Sequence, residues 1–373
     1  MDKRTNQAFL ALLRAGLWEQ SVALAPLAPV DFDAIFNLAE EQSVTGLVAA
    51  GVGHISDTKV EKMQARPFLK KVIALEQRNA SMNDFIGWLV ARLREENVSS
   101  VLIKGQGIAQ CYERPYWRAA GDIDLLLDAE NYEKAKSALI PLASKVESEV
   151  TEAKHQGMSL GGFEVELHGT FTFVLSKRVD RVIDEVQEKV CSRRAVREWQ
   201  PSADDFPVLL PAPDEDMIII FTHFLRHFYT GGIGLRQICD WCRLLWTYRS
   251  EIDRDLLSER LKSCGLMDEW QAFGAYAVEW LGLPAEAMPL YSSSRKWSRK
   301  AARLQSFIMK VGNFGHSRDL SYYSKYPYLL RKLISFGLRI GDGFSHMRIF
   351  PLDSIKFTWN TIRFGMKTVV RGE

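Results

Sequence analysis

The sequence predicts an α+β protein, a small mixed β-sheet core flanked by N- and C-terminal helical regions. Three observations carry this expectation. Apolar residues recur at helical spacing through the first hundred positions. Between residues 98 and 168, short β-branched and apolar runs alternate with helical ones. Beyond Pro201 the helical spacing returns. At 373 residues the chain exceeds what one compact core usually accommodates, so three regions are expected: 1–97, 98–200 and 201–373.

In the first region, Phe9, Leu10, Leu12, Leu13, Leu17 and Trp18 follow a helical period. A second pattern covers residues 33–48, after the break at Pro26-Leu27-Ala28-Pro29. A third runs over residues 68–96 and ends in a turn at Glu96-Asn97. Residues 98–103 then read as a buried strand stopped by Lys104-Gly105. A short helix is expected over 105–112, a loop containing Pro115 over 113–120 and a second strand over 121–128. A helix over 132–143 and a strictly alternating third strand over 163–168 complete the core. Pro211-Ala212-Pro213-Asp214 reads as a helix start with Asp214 as its N-cap, and helices are expected to about residue 285.

Composition is that of an ordinary globular chain, 47% hydrophobic and 25% charged, and the net charge of +2 argues neither for nor against an anionic partner. The charge is uneven. Residues 318–373 hold ten Lys/Arg against four Asp/Glu, interleaved with aromatics such as Tyr322, Tyr326, Phe350, Phe357 and Trp359. Such a tail suits RNA, phosphates or a membrane surface, or else an amphipathic region that packs its aromatics inward. No apolar run approaches the length of a transmembrane segment, and the N-terminus lacks the pattern of a signal peptide. Five scattered cysteines fit reduced thiols better than a disulfide framework, so a cytoplasmic location is expected.

The chemistry concentrates in Asp122-Ile123-Asp124. Residues two apart on a strand share a face, so the two carboxylates project together while Ile123 and Leu125 turn to the core. Carboxylates held that close repel unless a cation lies between them, and a hard divalent ion, Mg²⁺ or Mn²⁺, meets that need. Asp-x-Asp alone is common on surface strands. Here it follows a strand–glycine–helix unit, in which Gly105 lets the backbone approach a phosphate and Lys104 supplies a point charge. A plain helix-start glycine beside a surface lysine is the simpler reading of that turn.

Glu166-Leu167-His168 forms the third element. Glu164, Glu166 and His168 share a face opposite Phe163, Val165 and Leu167. Glu166 is a candidate third carboxylate, as metal ligand or as base, and His168 a group that orients a phosphate or the carboxylates. A solvated outer face is the alternative. Arg118, in the loop before Asp122, is placed to reach a phosphate. Arg236 follows Gly231-Gly232-Ile233-Gly234, which suits phosphate or base contact. At i, i+4 from Asp240 it suits a surface ion pair equally well.

Together these residues resemble the nucleotidyltransferase superfamily, and within it an uncharacterised bacterial group. That group has a Lys-Gly turn, a loop arginine, Asp-Ile-Asp-Leu-Leu and an acidic-x-His strand. The matching residues are Lys104-Gly105, Arg118, Asp122 to Leu126 and Glu166-Leu167-His168, followed by His223 to His227 and Gly232 to Trp241. The resemblance covers roughly residues 5–250. It implies a nucleotidyltransferase core and metal-dependent transfer of a nucleoside monophosphate from an NTP to a hydroxyl acceptor, with pyrophosphate released. The acceptor stays open between a small molecule, a protein and an RNA. It further implies catalytic and metal-binding roles for Asp122, Asp124 and Glu166. Nucleotide contacts fall to Lys104, Gly105, Gln106, Arg118, His168 and Arg236.

Two positions depart from the superfamily pattern: Gln106 replaces a small hydroxyl residue, and Glu166 stands where Asp is common. They motivate a rival expectation, a degenerate nucleotide-binding or interaction protein of the same fold. Another rival is a toxin-like enzyme that adds nucleotides to RNA, gripping it with the basic tail. Cys239 and Cys242 have redox spacing but sit in a helical pattern, so buried thiols are expected. His223 and His227, at i, i+4, lack the glutamate of a metalloprotease helix, and a helix-face role near the nucleotide is expected instead. His155 and Gln156 fall in the connection before the third strand and receive no assignment.

Overall fold

A computed structural model describes residues 3–58, 60, 62–171, 175–202, 206–230, 232–312, 341, 343 and 345–357. Four helices lead: α1 (Lys3–Trp18), α2 (Phe32–Glu41), α3 (Thr45–Gly53) and α4 (Lys62–Glu95). After α4, Asn97 takes a positive φ of 57°, which makes the expected turn. The chain then enters a mixed seven-stranded sheet: β1 (Val101–Ile103), β2 (Ile123–Leu126), β3 (Lys145–Val146), β4 (His155–Leu160), β5 (Phe163–His168), β6 (Val196–Trp199) and β7 (Val208–Pro211). The spatial order is β3-β4-β5-β2-β1-β7-β6. At its centre β1 runs antiparallel to β2, and β2 parallel to β5. Three helices lie within this stretch: α5 (Gly105–Ala109), α6 (Ala129–Leu139) and α7 (Lys177–Cys191). After the sheet come α8 (Pro213–Thr230), α9 (Leu235–Thr247), α10 (Arg254–Cys264), α11 (Met267–Leu281) and α12 (Arg295–Val311), and residues 351–357 are also helical.

The α+β architecture with flanking helical regions is therefore the one expected, with more strands than the sequence displayed. β4 fills the connection before the third strand, and it escapes a search for apolar alternation because His155, Gln156, Gly157 and Ser159 interrupt it. β6 and β7 form a hairpin at the opposite edge, and β7 pairs with β1, so one sheet strand lies beyond residue 200. Two local expectations are corrected. The helix after Gly105 is a single turn ending at Ala109. Helix α8 begins at Pro213, whose missing N–H costs nothing in a first turn, so Asp214 is not the cap. Its carboxylate accepts the Asp253 N–H at 3.0 Å instead.

Strand alternation splits the core. Leu102, Ile123, Leu125, Val165 and Leu167 face α4 and α6, where Met82, Ile86, Leu89, Tyr132 and Leu139 complete one cluster. Val101, Ile103 and Leu126 face the other way and join a larger cluster with α1–α3 and the C-terminal helices. The carboxylates of the central strands belong to this second face, beneath α8 and α9.

Of the basic aromatic tail, residues 318–340 and 358–373 lie outside the described residues. Within the described part, Phe350 and Phe357 are buried against Phe228 and Tyr229 of α8. Among the described residues no helix is long and apolar enough to cross a membrane. All five cysteines are free thiols, and Cys239 and Cys242 are buried along α9, as expected.

One buried acid in this helical region supports a testable expectation. Glu269 of α11 is fully buried, its Oε1 accepts the Tyr229 hydroxyl at 2.9 Å, and its Oε2 has no partner among the described residues. Burial, then the charge of Asp353, push its carboxyl from 4.5 up to about 8. The folded protein thus holds this proton more tightly than the unfolded chain does. The associated stability is complete below pH 4.5 and is lost as the pH rises through 8. Glu269→Gln keeps the acceptor and removes the ionisation. Its unfolding free energy, relative to wild type, should rise between pH 5 and 9 by on the order of a few kcal/mol. Parallel pH profiles for the two proteins in urea unfolding would contradict this.

Candidate active site

The site begins with a turn. At the end of β1, Lys104 adopts φ 60° and ψ −148°, and Gly105 follows at φ 47°. Glycine is suited to this left-handed region, whereas a lysine held there is strained. The reversal directs the Lys104 side chain across the sheet face to Asp124, with Nζ 2.8 Å from Oδ1. The same Nζ lies 3.2 Å from Nε2 of His223 and over the ring of Phe171.

Asp124 is the pivot. It is 5% exposed and pairs in register with Ile103 on one side and Glu166 on the other. Its Oδ1 also lies 2.8 Å from Nε2 of His168. Glu166 Oε2 lies 3.1 Å from Nε2 of His155 and 3.4 Å from that of His168. Asp122, two residues before Asp124 and just outside the ladder, sits exposed at the cavity mouth. Desolvation, then the charges of Glu166 and Asp124, raise its carboxyl above the ordinary range despite Lys104 and Arg236. Burial acts the same way on Glu166, but hydrogen bonds from His155 and His168 outweigh it and hold that carboxyl well below the usual range. Burial alone would lower the pKa of His168, and its bonds to Asp124 and Glu166 raise it. Three carboxylates thus line one cavity, and Asp122, the least compensated of them, binds its proton more tightly than an ordinary aspartate. A cation among these groups would relieve the repulsion.

These groups line a cavity of about 460 Å³ roofed by α8 and α9. From α8 come His223, Arg226 and His227, and from α9 Arg236 and Asp240. The two histidines, one helical turn apart, have Nε2 atoms 3.1 Å apart. Burial, then Lys104, lowers the pKa of both, that of His227 to about 3, so the roof presents neutral imidazoles. Arg236 donates to the Ala119 carbonyl at 3.0 Å, and its Nε has no partner among the described residues. The Arg236 side chain borders the cavity, while Nε itself is enclosed by protein.

The structure brings Lys104, Gly105, Arg118, Asp122, Asp124, Glu166, His168 and Arg236 to this cavity. Gln106 is not among them. It is buried, and its amide donates to Asn79 of α4, because the single turn of α5 points it to the opposite side. Arg118 is already committed. Its Nε and Nη2 donate to the two oxygens of Asp240 at 3.0 and 2.7 Å, and the Tyr112 hydroxyl donates to the same carboxylate at 2.8 Å. Asp240 thus forms a buried pair with Arg118, in place of the Arg236–Asp240 surface pair that the i, i+4 spacing offered as an alternative.

Other contacts fasten the loop that leads into β2. Asn79 donates to the carbonyls of Tyr116 and Arg118 at 2.7 and 2.8 Å. Gly46 of α3 lies so near that loop that a Cβ there would fall 2.0 Å from the Trp117 carbonyl oxygen. The N-terminal helices thereby set the position of the aspartates.

His155, Arg226 and Asp240 had no site role in the sequence reading. His155 had a usable signal only once β4 is recognised, because its register partner is His168. Arg226 and Asp240 lie in the segments that resemble the family, which was their one signal, and helix packing brings them to the cavity.

A mixed seven-stranded sheet flanked by helical regions is consistent with an α+β nucleotidyltransferase-like fold. The chain belongs to the family of uncharacterised nucleotidyltransferases, which it matches over residues 28–282. Comparison with curated proteins gave no match, and none came from solved structures. The family points to nucleotidyl transfer in general and to an NTP as substrate.

Proposed function

We propose that the protein transfers a nucleoside monophosphate from an NTP to a hydroxyl acceptor, with Mg²⁺ or Mn²⁺ held by Asp122, Asp124 and Glu166. One observation carries this reading. Asp122, Asp124 and Glu166 line a single cavity with Arg226, Arg236, His223 and His227. A triphosphate supplies the negative charge for that roof and, through its metal, the partner for those carboxylates. When bound, the ion supplies electrophilic stabilisation of the phosphate charge.

The chain's own residues divide the remaining work. Arg236 and Arg226, which line the cavity, bind phosphate oxygens. Lys104 sets the charge at Asp124, and His168 holds Asp124 and Glu166 in place. Bond by bond, the acceptor oxygen joins the α-phosphorus, the bond to the bridging oxygen breaks, and pyrophosphate departs. The acceptor's proton goes to water, since the depressed pKa of Glu166 supports the ligand role over the base role. The buried pairing of Arg118 supports a positioning role for it, and Gln106 has none at the phosphates.

The test is pyrophosphate release from each of the four NTPs with Mg²⁺ or Mn²⁺, with dialysed cell extract supplying acceptors. Wild type is compared with the Asp122→Ala/Asp124→Ala variant. Release that needs the metal, prefers one NTP and vanishes in the variant is the expected result. A single observation favours the degenerate binding protein: the Lys104 ammonium already neutralises Asp124. NTP binding with release no greater than in the variant would establish that reading instead.

A further inference from the structure

From its geometry we infer a second cation site in the same cavity, formed by His155, Glu166 and His168 and selective for a borderline transition ion of the Zn²⁺ type. It stands whether or not nucleotides are transferred.

The three residues come from two neighbouring antiparallel strands. His155 begins β4 and His168 ends β5, directly opposite in register, and Glu166 lies two residues back on the same face as His168. Their ligand atoms all lie within 4.8 Å of one another. Glu166 Oε2 is 3.1 Å from one imidazole nitrogen and 3.4 Å from the other. Around a tetrahedral Zn²⁺, with bonds of roughly 2.0–2.1 Å, neighbouring ligand atoms are about 3.3 Å apart. Both histidines present Nε2, the atom such an ion takes, to a single carboxylate oxygen. Closing the site requires that the two histidines draw together and that His168 Nε2 release its hydrogen bond to Asp124.

Donor chemistry decides which ion. Two imidazoles and one carboxylate form the type of set that binds Zn²⁺ with an open fourth position, whereas Mg²⁺ takes oxygen ligands and keeps much of its water. The all-oxygen set at Asp122 and Asp124 and the nitrogen-rich set at His155 and His168 thus divide by hardness, with Glu166 common to both. All three ligands border the cavity, so the open position faces it and is accessible to water or a phosphate oxygen. The hydrogen bonds now linking His168 to Asp124 and Glu166 occupy the space the ion would take, so a bound ion replaces the shared proton.

The experiment uses the full chain after chelator treatment, with ZnCl2 as the probe. Bound metal is measured by equilibrium dialysis and elemental analysis, in 5 mM MgCl2 to saturate oxygen-only sites. Wild type should bind about one Zn²⁺ per chain. His155→Ala should weaken binding by at least about a hundredfold, beyond the 10- to 100-fold that loss of an outer-shell partner costs. Asp122→Asn should leave Zn²⁺ affinity within a few-fold. His155→Gln retains an amide donor for Glu166 and serves if the alanine variant does not fold. Substoichiometric Zn²⁺ in wild type would overturn the site, as would unchanged affinity in the folded His155 variant. Failure here leaves the pyrophosphate assay unaffected. Failure of that assay beside stoichiometric Zn²⁺ would remove the transferase reading alone.

Discussion

Replacing Asp124 with asparagine is expected to lower kcat/KM for nucleotide transfer by about a thousandfold or more, or about 4 kcal/mol of transition-state stabilisation. Asp124 is the buried carboxylate on which Lys104, His168 and the register partner Glu166 converge. Asparagine keeps the shape and one acceptor oxygen but removes the charge that a divalent ion needs. The Lys104 ammonium then faces a neutral amide, and the roof above it carries neutral histidines. The NTP dissociation constant should change far less than kcat, because Arg226 and Arg236 on the roof remain. Steady-state kinetics beside a direct binding measurement separate the two quantities. A loss under tenfold in kcat/KM would mean that the Asp pair does not serve the reacting phosphate.

Asp240→Ala should produce the largest stability loss, about 3–5 kcal/mol in urea unfolding, the usual consequence of stranding one partner of a buried ion pair. Arg118 and Asp240 are 6% and 5% exposed and joined by two parallel hydrogen bonds, with Tyr112 on the same carboxylate. Removing the carboxylate leaves a buried guanidinium and a buried phenol without their acceptor. Arg118→Met combined with Asp240→Leu should recover part of that loss, since neither charge is then stranded. A loss below about 1 kcal/mol for Asp240→Ala would mean that Arg118 is not tied to α9 and is available to a phosphate. The nearby cavity makes the distinction functional, because Arg118 lies at the end of the loop that delivers Asp122 and Asp124.

What the sequence alone determined was local. Alternation in residues 121–128 and 163–168 determined which side chains share a sheet face, because a strand's period of two needs no knowledge of its neighbours. The same reasoning placed Glu166 with His168, whereas Asp122 lies outside β2 and reaches the cavity from the preceding loop. Helical spacing located the flanking regions, and the i, i+4 relation put His223 and His227 on one helix face. Tertiary structure decided the pairings. Arg118 has two possible roles in the sequence, and α9, more than a hundred residues away, selects one by bringing Asp240 against it. Gln106 and Lys104 are close neighbours along the chain, yet one short turn sends them to opposite sides of the sheet. His155 gains its relation to His168 only through an antiparallel register that its polar strand does not advertise. Side-chain direction along one element follows from backbone geometry, whereas contact between distant elements depends on how whole surfaces pack, and no local pattern encodes that.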